Sequence, residues 1–270
     1  MTPLRCLDAF SHGTSHLDTE NTFVRWSSLL LVSDHFLNFE LNVATSPQYT
    51  MKKSAGVVLL FVVFCWSAQA QTAPPYWAEM VAFKKQDSVQ QPPAHNIVFV
   101  GSSSFTKWKD VGEYFPGYPI INRGFGGSTL VDVIRYVYDI ILPYKPKQVV
   151  IYCGENDFAY VDTVSVAEVL RRFKTLYGML RQNLPSSTIT FVSLKPSPSR
   201  EKYQVKVKAV NNEIRLFLKK EKMAAFVDIY PAMLDANGKM REELYEEDRL
   251  HMKAEGYRIW QKIMLPYLVK

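Results

Sequence analysis

Short apolar runs rich in β-branched and aromatic residues, at 97–100, 120–122, 148–152, 188–194 and 225–229, alternate with longer amphipathic stretches. No other feature of the 270 residues constrains the fold as much. Helical patterns cover roughly 130–142, 166–183 and 202–222, with a last one over 253–268. A mixed apolar and polar stretch at 76–91 reads as a further helix, stopped by Pro92 and Pro93. Ser165 followed by Glu168 has the spacing of a capping box and marks a helix start. Near-continuous apolar strands joined by helices of this length imply parallel pairing through right-handed crossovers. The expected fold is therefore α/β, a three-layer doubly wound sheet of about five mainly parallel strands with helices on both faces.

The first seventy residues stand apart from this pattern. Lys52 and Lys53, an unbroken apolar run at 55–66, and Ala68-Gln69-Ala70 have the order of a secretory signal's basic region, apolar region and cleavage site. The apolar run is 12 residues long, whereas a spanning helix needs ~20. A signal peptide cleaved at about Ala70/Gln71 is expected, with export to the periplasm or the exterior and no stable membrane span afterwards. Such a signal acts at an N-terminus, so Met51 reads as the start and residues 1–50 as an upstream extension or disordered leader. The domain plan is then a leader at 1–50, a signal at 51–70, a linker and N-terminal helix at 71–95, and one globular domain at 96–270.

Cys6 and Cys65 precede the cleavage point, which leaves Cys153 alone and excludes an internal disulfide. Stability must come from a core, and 47% hydrophobic residues supply one. Cys153 lies in a strand pattern and reads as a buried structural thiol. The net charge of +6 is spread over stretches such as 201–222, without an arginine-rich tract interleaved with aromatics. Nucleic acid is not an expected partner.

In open parallel sheets the ligand site lies outside the carboxyl ends of the strands. The first strand ends in Gly101-Ser102-Ser103-Ser104. This is either an ordinary polar turn or a turn that projects a nucleophilic hydroxyl. The second ends in Asn122-Arg123-Gly124-Phe125-Gly126-Gly127-Ser128-Thr129, a flexible turn or one whose amides face an anion at a helix start. The third ends in Gly154-Glu155-Asn156-Asp157, where Asn156 either donates to a ligand or caps the turn and Asp157 fixes the loop. Near the C-terminus comes Asp248-Arg249-Leu250-His251. An aspartate three residues before a histidine can accept from the imidazole Nδ1 and leave Nε2 free as a base. As a metal site this pair offers only two ligands, with no His/Cys cluster beside it. No metal and no cofactor are expected.

In this order the four blocks resemble those of the SGNH hydrolase family, the GDSL-type esterases and lipases, over nearly all of 96–270, and the acetylhydrolase-like branch in particular. The resemblance implies an SGNH/flavodoxin-like fold and a nucleophile at Ser103, the second residue after Gly101, with Ser102 and Ser104 as the other choices. It also implies oxyanion-hole donors at the backbone amides of Ser103 and Gly127 and the side chain of Asn156, a base at His251 and an orienting acid at Asp248. Ser102 stands where the family often has aspartate, a departure that touches local hydrogen bonding more than mechanism.

The implied activity is that of a secreted serine esterase acting on small acyl, above all acetyl, esters of a small molecule or carbohydrate. A lysophospholipase or thioesterase-type acylhydrolase, or a catalytically inactive carbohydrate-binding relative, are the alternatives. No long amphipathic lid separates the blocks, which argues against action on long-chain fat at an interface. Lys195-Pro196-Ser197-Pro198-Ser199-Arg200, after the fourth strand, either borders the site or is a stiff connector. Trp108 is expected under the nucleophile turn, and Trp77 and Trp260 as core or interface aromatics.

Overall fold

Ile97, Val98, Phe99 and Val100 are all fully buried, so strand β1 (Ile97–Gly101) has no face to give to solvent and needs neighbours on both edges. It has them. The computed structural model describes residues 73–270, and the leader, signal and cleavage-site assignments fall outside the described residues. Within them, β1 pairs in parallel with β2 (Ile120–Gly124) on one side and β3 (Gln148–Tyr152) on the other. β4 (Thr188–Val192) and β5 (Ala224–Val227) extend the sheet beyond β3 to give the order β2-β1-β3-β4-β5, parallel throughout. The winding direction reverses between β1 and β3, which opens a crevice at their carboxyl ends.

The helices are α1 (Trp77–Val89), α2 (Ser103–Thr106), α3 (Val111–Tyr114), α4 (Leu130–Arg135), α5 (Val137–Ile140), α6 (Glu155–Tyr160), α7 (Val166–Asn183), α8 (Gln204–Leu218) and α9 (Ala254–Met264). Three of these, α2, α3 and α6, were not expected. Four to six residues are too few to establish a helical period. α7 has the expected bounds, and the Ser165 hydroxyl accepts from the Glu168 N–H at its start (3.1 Å). The reciprocal capping box forms instead at α4, between Thr129 and Asp132.

The single helix expected over 130–142 is broken at Tyr136, whose backbone leaves helical geometry while its hydroxyl donates to the Pro75 carbonyl. The helix expected over 202–222 is shorter, because the 3-10 turn Pro198–Tyr203 precedes it and α8 ends at Leu218. β4 stops at Val192 rather than continuing to 194. Beyond it the Ser193 hydroxyl accepts from the N–H groups of Ile229 and Tyr230, and the Asn211 side chain satisfies both the N–H and the carbonyl of Leu194. Side chains replace the ladder there.

Trp108 and Trp260 are fully buried in one aromatic cluster with Phe105, Tyr152 and Tyr257. This cluster glues α9 to the segment that follows β1. Trp77 is different: it is 40% exposed, with the Lys84 ammonium over its ring, so it is no core aromatic. Cys153 is buried, and burial pushes its thiol well above the ordinary value.

Candidate active site

The pairing register places Gly101 opposite both Gly124 on β2 and Tyr152 on β3, so three strands end at one level. Gly101 makes the first turn. Its φ is +141°, and a Cβ there would lie 1.9 Å from the Tyr152 carbonyl oxygen, so only glycine fits. Ser102 then donates its N–H to that same carbonyl (3.0 Å), and α2 begins at Ser103. The three serines part company at this point. Ser102 and Ser104 are 5% and 1% exposed, while Ser103 is half-buried and its hydroxyl is bonded to no described residue. As the first residue of a helix, Ser103 also has a backbone N–H without an intrahelical acceptor.

After β2 the chain turns through Phe125–Thr129 into α4, with Gly127 at φ +83°. Among the described residues, no protein acceptor takes the Gly127 N–H. After β3, Gly154 at φ +133° leads into α6. Asn156 is buried and donates one amide hydrogen to the Ser128 carbonyl (2.9 Å), which ties the third block to the second and leaves the other amide hydrogen available. Asp157 fastens the same two blocks: its carboxylate accepts from the Leu130 N–H (3.0 Å) and pairs with Arg172 (2.8 Å). Burial outweighs these partners and raises its carboxyl above the ordinary value.

The Asp248–His251 loop is a closed turn. Tyr245 and Met252 bridge its base in antiparallel fashion, and Arg249 takes a left-handed φ of 54° within it. Asp248 shapes the turn as well as holding the histidine. One carboxylate oxygen accepts from the N–H groups of Leu250 and His251 (2.9 Å each), and the other meets His251 Nδ1 at 2.5 Å. Partial burial acts to raise the Asp248 pKa, but the His251 and Leu250 donors outweigh it and bring it to about 2. Asp248 is ionised across the working range, and an imidazole bonded to it through Nδ1 keeps Nε2 open.

One contact holds α9, which follows this loop, to the segment after β1, and a second holds the loop to the segment after β4. The Tyr257 hydroxyl on α9 donates to the Ser104 carbonyl (2.9 Å), and the Ser199 N–H donates to the Arg249 carbonyl (3.0 Å). No hydrogen bond joins Ser103 Oγ to His251 in this structure.

One feature escaped sequence reasoning. Lys195, three residues past β4, is fully buried and pairs with Glu155 (2.9 Å), which also accepts from the Tyr152 hydroxyl (2.9 Å) and lies 3.7 Å from Arg200. Burial opposes the charge of Glu155, but Lys195 and Arg200 prevail and hold its carboxyl below the ordinary range. The 195–200 segment is thus a cationic brace beneath the Asn156 helix and the Arg249 turn, not a plain connector. A carboxylate in a block that otherwise reads as turn residues was the available signal, since it needs a buried cation.

Among the described residues, no group of three His, Cys, Asp or Glu is placed to hold a metal ion, and no helix is long and apolar enough to cross a membrane.

The model of the GDSL-like lipase/acylhydrolase family matches residues 96–259. No curated protein matches. Among solved structures, a Streptococcus pneumonia protein provisionally designated a platelet activating factor aligns at 21% identity with a TM-score of 0.63, over 80% of this chain and 99% of its own. A GDSL-like lipase from Bacteroides thetaiotaomicron aligns at 21% identity and TM-score 0.60, over 70% of this chain and 96% of its own. A protein from Bacteroides fragilis, provisionally designated an acylhydrolase, gives 21% and 0.60, over 71% and 96%. These likenesses are of fold.

Proposed function

The chain belongs to the GDSL-like lipase/acylhydrolase family and is an ester-hydrolysing enzyme, and from that premise we propose that it is an exported serine esterase acting on small acyl, above all acetyl, esters, including those on carbohydrate. Ser103 is the nucleophile, His251 the base and Asp248 the acid that orients it. The observation that carries this reading is that the pairing register brings the ends of β1, β2 and β3 to one level, so that one reachable serine, two unengaged backbone amides and the Asn156 amide follow adjacent strand ends, while His251 is held through Nδ1 by an ionised aspartate.

In the proposed reaction, His251 Nε2 takes the proton of Ser103 Oγ as that oxygen attacks the ester carbonyl. Negative charge then builds on the carbonyl oxygen, where the amides of Ser103 and Gly127 and the side chain of Asn156 donate to it. Collapse breaks the bond to the alcohol, which leaves with the proton from His251. Water, deprotonated by the same imidazole, releases the acid and restores the serine. Asp248 keeps the tautomer and stabilises the imidazolium in both halves.

Short connections support a small acyl group. Five residues separate β2 from α4, and two separate β3 from α6, so neither of these connections holds a long apolar lid. Export rests on Lys52 and Lys53, the apolar run at 55–66 and the Ala68-Gln69-Ala70 site. A panel of p-nitrophenyl esters tests the acyl preference. Acetate should be the best substrate, with kcat/KM falling as the chain lengthens to octanoate, and a steady rise along the series would contradict it.

A further inference from the structure

Tyr76, just ahead of α1, and Tyr160, at the far end of the helix that carries Asn156, have no part in the proposed reaction, yet their hydroxyls meet at one of its proposed donors. A Cβ built on Gly127 would lie 2.9 Å from the Tyr160 hydroxyl and 3.2 Å from the Tyr76 hydroxyl. Neither hydroxyl is bonded to another described residue. Two phenolic groups at an amide-lined turn, with no protein partner among the described residues, have hydrogen bonds to offer a ligand.

Tyr76 is also held there against its backbone preference. Its φ is 65° and ψ 13°, a left-handed conformation that costs a bulky residue energy. The neighbours enforce it. The Tyr136 hydroxyl grips the Pro75 carbonyl at 2.5 Å, and the Tyr76 ring packs edge to face on Phe125 at 5.2 Å. Phe125 is itself fully buried at the end of β2. The residue before α1 is thereby brought to the second block, although 50 residues separate Tyr76 from Gly126 in sequence. Burial, with Asp132 and Tyr160 adding to it, pushes the Tyr76 phenol to about 12, so it remains a donor at any working pH. Tyr160, at the end of α6, is 59% exposed and faces the approach from solvent.

We propose that Tyr76 and Tyr160 form the subsite for the alcohol half of the ester, and that this alcohol is a polyol of the sugar type. The chemistry of the two side chains selects it. Phenol hydroxyls can donate to and accept from ring hydroxyls, and aromatic faces cover the apolar face of a sugar ring. An alkyl chain at the same place would strip water from both hydroxyls and return no hydrogen bond. This inference rests on the esterase reading above and names the substrate class of that same site. It also gives the segment before α1 a part in specificity.

The test compares a monoacetylated methyl glucoside with p-nitrophenyl acetate, whose leaving group carries no further hydroxyl. For Tyr76→Phe and Tyr160→Phe, the ratio of kcat/KM on the glucoside ester to kcat/KM on p-nitrophenyl acetate should fall ~3- to 10-fold each, as expected for one hydrogen bond between uncharged groups. The loss should appear in KM. The double variant should lose more, and Tyr138→Phe, an exposed tyrosine elsewhere on the surface, should leave the ratio unchanged. Equal losses on both substrates would overturn the proposal, because the tyrosines would then merely support the turn. An unchanged ratio in all variants would overturn it too. A wild-type enzyme that cleaves p-nitrophenyl acetate but not the glucoside ester refutes the polyol subsite alone, whereas one that cleaves neither refutes the esterase reading on which it stands.

Discussion

Replacing Ser103 by alanine is expected to abolish ester hydrolysis, lowering turnover by about 10⁶-fold, the scale on which a triad nucleophile contributes. The fold should survive. The Ser103 hydroxyl bonds no described residue and the position is half-buried, so the substitution removes no native hydrogen bond and leaves no buried polar group unpaired. The neighbouring serines supply the control. Ser102 and Ser104 are nearly inaccessible, and Ser102→Ala and Ser104→Ala should each retain substantial activity. If either of these lost turnover while Ser103→Ala kept it, the register counted from Gly101 would be wrong.

His251→Ala should cost as much as loss of the serine, again about 10⁶-fold, because a hydroxyl without a base is a poor nucleophile and the two act as a unit. Asp248→Asn should cost less, about 10⁴-fold, through the wrong imidazole tautomer. The double variant of Ser103 and His251 should be no worse than either single one. Rates on p-nitrophenyl acetate measure all three. The pH dependence has a definite sign. Asp248, at about 2, lies below the ordinary carboxylate value of about 3.9. Its hydrogen bonds therefore stabilise the folded turn fully above about 3.9, and that contribution is lost as pH falls towards 2. Loss of activity between neutrality and pH 4 would consequently come from a group other than Asp248. A titration of activity matching Asp248 protonation near 4 would show that its donors do not hold it as the geometry indicates.

Much of this was legible in the sequence for a physical reason. A strand buried on both faces, such as β1 or β3, must be apolar throughout, so its ends mark the edge where polar residues gather. Asp248 and His251 were legible because the contact between them is local. What could not be read depends on distance or on degree. Nothing in the order Ser102, Ser103, Ser104 says which hydroxyl is open; that follows from the turn at Gly101 and the burial of the flanking two. Tyr76 stood at the start of the stretch read as the first helix, and contacts distant in sequence, the Tyr136 bond to Pro75 and the packing on Phe125, carry it to the second block. Lys195 and Glu155 are 40 residues apart and become a pair only once β3 and β4 are adjacent. The early end of β4 comes from side chains taking over backbone hydrogen bonds, and the break at Tyr136 accompanies a hydroxyl bond to the distant Pro75, neither of which a period reveals.

Labelling with a fluorophosphonate, followed by mass mapping of the modified peptide, tests the central claim most directly, because the reagent reports an activated serine without assuming any substrate. One adduct on Ser103 is predicted, absent from Ser103→Ala and strongly slowed in His251→Ala. An unlabelled wild-type protein, or an adduct on Ser102, Ser104 or a serine elsewhere that persists in Ser103→Ala, would contradict it.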